Sequence, residues 1–423
     1  MARKMKDSGI EWIGEIPEGW EVAPLKRFTS IQTGNTPSKT SDSNYYASTG
    51  IPWIKPDNLG YSHSISKTSE HLTSEGALCA RIMPPNTVYV CCIGSLGKVG
   101  YSSISCACNQ QINALIFNDL MFWKYGYYLT IAQESQYLLF GNGNVLQIIN
   151  STSQGNIACV LPPLENQHLI ACYLDSVCSD IEVLISKTRS SIEEYKKLKQ
   201  AVITQAVTKG VRGEREMKDS GVEWIGEIPV NWTIQRFARV AEVKSNLVSP
   251  DNYLEYPQIS PENIEKDSGK LLLPCRTVAE VGVISGNHLF YKGQILYSKI
   301  RPKLNKVCIA PFDGLCSADM YPIESKNDTR YIMYCILSNG FLQQVSMITE
   351  NRVKMPKINQ VELSKVLVAI PETIAEQKEI ADYLDAKCAE IDGLIAKKEQ
   401  LVKELEGYKK SLIYEVVTGK REV

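Results

Sequence analysis

Two long stretches of the chain carry apolar or near-apolar residues in the alternating three-and-four spacing of a helix with one buried stripe. Over 167–208 the positions are Leu174, Val177, Ile181, Leu184, Thr188, Ser191, Tyr195, Leu198 and Val202. Over 377–420 they are Leu384, Lys387, Ile391, Leu394, Lys398, Leu401, Leu405, Tyr408 and Leu412. This is the heptad of a coiled coil. Ile185, Ile192, Ile395, Val402 and Ile413 widen the stripe, and neither stretch contains proline. Pro162-Pro163 and Gly210 bracket the first stretch, Pro371 and Gly419 the second, and Thr373 with Glu376 makes a capping box. Each helix of ~44 residues would be ~66 Å long at ~1.5 Å per residue. Such a stripe must be buried, and the obvious cover is the other helix. Each helix ends where a new segment begins, so the simplest packing is antiparallel. The interface is then expected at Leu174, Ile181, Leu184, Tyr195, Leu198, Leu384, Ile391, Leu394, Leu405, Tyr408 and Leu412. The alternative packs each helix on its neighbouring domain for part of its length.

The helices are copies of one another. Residues 167–210 and 377–420 align without a gap at an offset of 210, Tyr173-Leu174-Asp175 meeting Tyr383-Leu384-Asp385 and Cys178 meeting Cys388. A second repeat precedes them: MKDSGIEWIGEIPEGW at 5–20 and MKDSGVEWIGEIPVNW at 217–232 share thirteen of sixteen positions. Between these shared parts, segments 21–160 and 233–370 look unlike, although Lys98-Val99 matches Lys306-Val307 and Cys108 matches Cys316. One plan is used twice, which implies a dimer-like pseudo-two-fold arrangement within a single polypeptide.

The unlike segments mix short β runs (87–92, 294–297, 306–309) with turn signals such as Pro56-Asp57-Asn58 and Asp313-Gly314, and helical stretches near 119–138 and 328–346. The fold class is therefore α+β: two pseudo-two-fold-related α/β domains separated by an antiparallel two-helix coiled coil. The expected division is 1–164, 165–212, 213–371 and 372–423.

Composition adds exclusions. A formal net charge of -1 does not announce a nucleic-acid partner, so a DNA-binding face would need local clustering of Lys and Arg. Such clusters occur in loops. Lys299, Arg301, Lys303 and Lys306 follow a strand, and Arg352, Lys354 and Lys357 form a second group. The first segment offers Lys39, Lys55, Asn58, Ser95, Lys98, Asn109, Gln110, Asn142 and Asn144. Arg and Lys can bridge guanine edges and phosphates, and Asn and Gln can pair with adenine. Any single one of these residues can equally be an ordinary solvated loop side chain. Thirteen scattered cysteines without a CxxC pair suggest buried free thiols in a reducing cytoplasm, and no Cys/His spacing suits zinc. The start has no apolar signal core, and no apolar run is long enough to span a membrane.

The order of unlike domain, long helix, unlike domain, long helix resembles the specificity subunits of type I restriction-modification systems. The resemblance is carried by Ser8-Gly-Ile-Glu-Trp-Ile-Gly-Glu-Ile-Pro17, Gly293-Gln-Ile-Leu-Tyr-Ser-Lys-Ile-Arg-Pro302, Asp392-Gly-Leu-Ile-Ala-Lys-Lys398 and Val416-Val-Thr-Gly-Lys420. It implies two target-recognition domains, each reading one half of a bipartite double-stranded DNA site. It implies helices that serve as spacers and dock two modification subunits. Those subunits would bind S-adenosylmethionine and methylate adenine, a restriction subunit would join through them, and this chain would hold no cofactor. The first domain departs from the pattern, with Ile93-Gly-Ser-Leu-Gly-Lys98 where the second has Ser298-Lys-Ile-Arg-Pro-Lys303, so the two half-sites should differ.

Two other classes compete. No [DN]PP[YF], GxGxxG or GxxxxGK[ST] motif supports a methyltransferase or nucleotide-driven enzyme. A metal-dependent nuclease could use Asp319 with Glu324 and Lys326. A scaffold without DNA would use the helices for assembly and the domains for proteins.

Overall fold

The computed structural model describes residues 3–37, 44–60, 64–65, 68–142, 147–352 and 356–423. The chain forms two compact units, Met1–Arg189 with Glu399–Val423, and Ser190–Lys398. The long helices are Leu164–Lys209 and Ile374–Val417. Packing does not follow the four expected segments, because each unit takes one half of each helix.

Each unit is built the same way. In the first, a four-stranded antiparallel sheet runs in the order Val99–Ser102, Thr87–Cys91, Ile112–Phe117, Thr29–Thr33. A second sheet pairs Cys106–Cys108 parallel to Ile51–Ile54. In the second unit the antiparallel sheet runs Val307–Ile309, Ile295–Ser298, Met320–Ser325, Ala241–Val243. There Gly314–Cys316 lies parallel to Gln258–Ile259. The fully buried runs Val88-Tyr89-Val90-Cys91 and Ile295-Leu296-Tyr297 show why these strands form: β-branched and aromatic side chains fill both faces. The shared motif at 5–20 forms a hairpin, Met5 facing Pro17, and its copy repeats the register with Met217 facing Pro229.

Matching side chains tie each domain to the helices. In the first unit Tyr125 Oη lies 3.0 Å from the carbonyl oxygens of Val160 and Val417. In the second, Tyr331 Oη lies 2.8 Å from that of Ala369 and 3.3 Å from that of Val207. Lys124 pairs with Asp175, to which Tyr128 donates at 2.8 Å. Arg330 and Tyr334 meet Asp385 at 2.6 and 2.7 Å in the same manner. Gly419 closes the second helix at φ +73°, where a Cβ would lie 2.5 Å from Pro17 Cδ, so only glycine fits there.

The helices run antiparallel inside both units. In the first unit Lys409 pairs with Glu182, and Arg189 with Glu406 at 2.6 Å. In the second, Lys199 donates to both oxygens of Asp392 at 2.9 Å. The buried positions are Leu174, Cys178, Ile181, Ile185, Thr188, Ile192 and Lys199, then Leu384, Cys388, Ile391, Val402, Lys409 and Leu412. The three-and-four spacing stands, but alternate positions fall one residue later than hydrophobicity suggests. Ile185 replaces Leu184 and Lys199 replaces Leu198; Val402 replaces Leu401 and Lys409 replaces Tyr408. Leu184, Leu198, Leu394 and Tyr408, expected in the interface, are therefore exposed. At 199 and 409 the reason is that the lysines bury their methylene stems while their ammonium groups reach carboxylates, so lysine takes the seam from a leucine and a tyrosine. Tyr195 is half-buried, with Lys398 Nζ 5.6 Å from its ring, and Leu405 packs partly buried against the first core.

The cysteines are free thiols, and burial pushes most of them up; Cys335 and Cys159 reach about 12. Most are buried, as expected, whereas Cys79 and Cys172 are exposed and Cys275 is half-buried. Among the described residues no helix is long and apolar enough to cross a membrane.

Candidate nucleic-acid interface

Three loops converge at one place in the first unit. The loop after strand Thr87–Cys91 is held at its base by Cys91 N–H donating to the Lys98 carbonyl at 2.9 Å. Cys92 N–H reaches the Gln111 carbonyl at 2.8 Å, and Gly94 N–H reaches that of Gln147 at 3.0 Å. Ile149 N–H returns to the Cys92 carbonyl at 3.0 Å. The second unit repeats these bonds one for one. Ser298 N–H donates to Lys306 at 3.0 Å, Lys299 to Asp319 at 3.0 Å, Arg301 to Pro356 at 2.8 Å and Ile358 to Lys299 at 2.9 Å. Isolated bridges Ile93–Ile148 and Ile300–Lys357 complete the match. Segments that look unlike in sequence thus build one backbone platform, because its geometry is carried by main-chain groups and the side chains are free to vary.

The platform requires a left-handed backbone at two positions. In the first unit these are Gly94 at φ +82° and Gly97 at φ +78°. In the second they are Arg301 at φ +45° and Asn305 at φ +42°. An arginine there costs about 1 kcal/mol or more, and a strained non-glycine residue is a recognised pointer to function.

The expected residues sort into three groups. Ser95, Lys98, Gln110 and Asn142 are exposed on the first platform, and Arg301 and Lys303 on the second; Lys299 is half-buried beside them. Arg301 and Lys303 have no ion pair among the described residues. The second group is engaged in holding the loops. Asn109 forms a turn, its side chain accepting from Gln111 N–H at 3.1 Å, and Ser317 does the same for Asp319 at 3.2 Å. Asn58 accepts from Lys55 N–H at 2.9 Å, and Lys55 pairs with Glu70 at 3.1 Å against the ring of Trp53. Lys306 donates to the Pro261 carbonyl at 2.6 Å, Lys357 pairs with Asp319 at 2.9 Å, and Arg352 pairs with Glu362. The third group, Lys39, Asn144 and Lys354, lies outside the described residues.

Sequence reasoning missed Arg81, which is exposed, accepts no heptad or strand pattern, and donates to the Thr33 carbonyl at 2.7 Å. It sits next to Asn35 and Thr36, which bond to Cys108 and Gln110 at the edge of the platform. It also missed an open cleft of about 530 Å³ in the second unit, lined by His288, Lys299, Tyr321, Asn359 and Gln360 among others. Burial and the Lys299 charge hold the His288 pKa below its usual value, so this imidazole is neutral at pH 7. The nuclease reading fails on geometry. Asp319 is held by Lys357, whereas Glu324 pairs with Lys244 at 3.4 Å across the neighbouring strand, so the two carboxylates do not share a site.

The family model for the type I restriction modification DNA specificity domain matches residues 17–194 and again 229–404. The specificity subunit of type I restriction enzyme EcoDI from Escherichia coli is 37% identical over 267 residues, a match spanning 60% of each chain. A putative type I restriction enzyme specificity subunit, MjaX, from Methanocaldococcus jannaschii is 26% identical over 96% of this chain and 95% of its own. A solved chain from work on complex assembly and conformational transition of the type I R-M system has a TM-score of 0.69 at 12% identity. That match covers 96% of this chain and 99% of the other.

Proposed function

We propose, for a chain that belongs to the type I restriction-modification DNA specificity family, that each unit reads one half of a bipartite duplex site through its three-loop platform. The observation that carries this reading is the pair of equivalent platforms bearing unlike side chains. One backbone frame approaches DNA twice, and Ser95, Lys98, Gln110 and Asn142 on one frame face a different sequence from Lys299, Arg301 and Lys303 on the other. The whole site is then asymmetric.

The long helices act as the spacer. Forty-six and forty-four residues of continuous helix correspond to ~66–69 Å at ~1.5 Å per residue, about two turns of duplex. Inserting matched heptads in both helices is expected to lengthen the unread gap. Two modification subunits dock on the helices, bind S-adenosylmethionine and methylate adenine, and a restriction subunit joins through them. The chain itself positions and does not catalyse.

The deciding experiment maps methylated adenines in DNA from cells that express the chain with its modification partner. Methylation at one split, non-palindromic motif is the expected result, and its loss when the chain is omitted completes the test. Duplex binding by the purified complex should fall steeply with salt. Binding that is indifferent to both salt and sequence would favour the protein-scaffold reading instead.

A further inference from the structure

Trp20 and Trp232 occupy the same place in the two repeats, but their indole N–H groups are treated differently. Trp232 is fully buried and donates from Nε1 to Glu376 Oε1 at 3.2 Å. Arg215 donates to the same oxygen at 2.7 Å and lies over the Trp232 ring, 6.0 Å from its centre. Glu376 is 2% exposed and stands in the first turn of the second long helix, where the helix dipole favours an anion.

In the first unit the same frame lacks its acid. Trp20 is 2% exposed, and Arg3 lies over its ring at 5.0 Å, as Arg215 does over Trp232. The residue matching Glu376 in the first turn of the first long helix is Asn166. Among the described residues Trp20 Nε1 is buried without a hydrogen-bond partner. Beside it lies an open cleft of about 300 Å³ lined by Arg3, Lys4, Glu18, Trp20, Pro163 and Asn166 among others. Arg3 and Lys4 have no ion pair among the described residues, and Glu18 is exposed at the rim. A buried donor without an acceptor carries a desolvation cost that a bound acceptor recovers. At ~30 Å³ per water the cleft has room for an acid of several heavy atoms.

We propose that this cleft is a carboxylate-binding site, in which an acid supplied from outside takes the position that Glu376 fills from within in the second unit. Trp20 Nε1 and the Arg3 guanidinium donate to it, Lys4 adds charge, and the first turn of the helix supplies its dipole. The assignment is independent of DNA reading.

The test titrates the full chain with acetate, acetamide, inorganic phosphate and glutamate blocked at both ends, following the Trp20 indole N–H resonance. The resonance is identified by its loss in Trp20→Phe. Both carboxylates are expected to shift it, and acetamide is not. Stronger binding of the blocked glutamate assigns the site to an acidic side chain of a polypeptide, whereas equal or stronger binding of acetate assigns it to small free carboxylates. Arg3→Ala should weaken binding by about tenfold or more. Asn166→Glu copies the second unit, so it should fold, move the resonance by itself and abolish further response. Glu18→Gln removes a negative charge at the rim and should strengthen acid binding. An equal response to acetamide, a stronger one to phosphate, an undiminished one in Asn166→Glu, or loss in Glu18→Gln each overturns the proposal.

Discussion

Lys199 donates to both carboxylate oxygens of Asp392 at 2.9 Å, and Lys409 with Glu182 repeats the pair 210 positions away in each helix. Burial raises the Asp392 carboxyl, but hydrogen bonds from Lys199 and Lys270 outweigh it and hold the pKa below the usual carboxylate value. A depressed folded-state pKa contributes stability that is present above the unfolded value, near 4, and is lost as pH falls through the folded one. The contribution of this pair to urea stability should therefore be flat from neutral pH down to about 4 and fall below it. Lys199→Ala should cost about 1–3 kcal/mol at pH 7, less than a fully buried pair because Lys270 still faces Asp392. The variant should also lose part of the acid-limb slope. An unchanged urea midpoint at pH 7 would show that the pair contributes nothing.

Adjacent residues on the first helix separate core from exterior. Ile185 is buried and Leu184 is 46% exposed. Ile185→Ala removes buried methyl groups and should cost about 2–4 kcal/mol. Leu184→Ala should stay within about 0.5 kcal/mol for the chain alone. If Leu184 meets a docked subunit, the same substitution should weaken assembly with the modification subunit. Denaturation of the chain and analytical sedimentation of the complex measure the two effects separately.

How far these features could be read from the sequence depended on what carries them. The helices, their antiparallel sense and the repeat were legible, because a heptad and an offset of 210 are periodic signals. The seam was misplaced at Leu198 and Tyr408 because hydrophobicity ranks leucine and tyrosine above lysine. The carboxylates that admit Lys199 and Lys409 lie far along the chain, where no local pattern reveals them. The loop residues were legible as polar clusters but not by role. Asn109 and Asn58 turned out to hold turns, accepting from main-chain N–H groups two and three residues away, a role that loop composition alone does not reveal. The likeness of the two platforms was invisible as well, since Gly94 and Arg301 share a backbone conformation and nothing else.

Arg301 is strained where its counterpart is glycine, and this sets stability against recognition. Arg301→Gly should relieve the left-handed strain and raise stability by up to about 1 kcal/mol. If the guanidinium reads a base, the substitution should also relax one position of one half-site, worth about 1–3 kcal/mol in discrimination. A uniform loss of affinity across sequences would assign Arg301 to a phosphate instead. Thermal unfolding and binding to a set of single-base variants supply both readings.

The second domain enters and leaves through paired strands. Thr233–Arg236 runs antiparallel to Leu367–Ile370, with Thr233 facing Ile370, so segment 233–370 begins and ends at one two-stranded clasp. The first domain closes alike, Glu21 facing Leu161. A segment whose ends meet can be exchanged without moving the helices, because the clasp is made by main-chain bonds that tolerate new side chains. Replacing 233–370 by the corresponding segment of another family member should therefore change one half-site and leave the other half-site and the gap intact. Adenine mapping in cells carrying the hybrid reads all three at once. A hybrid that alters both half-sites would mean that each unit's reading depends on the other, and that the two clasps do not bound independent modules.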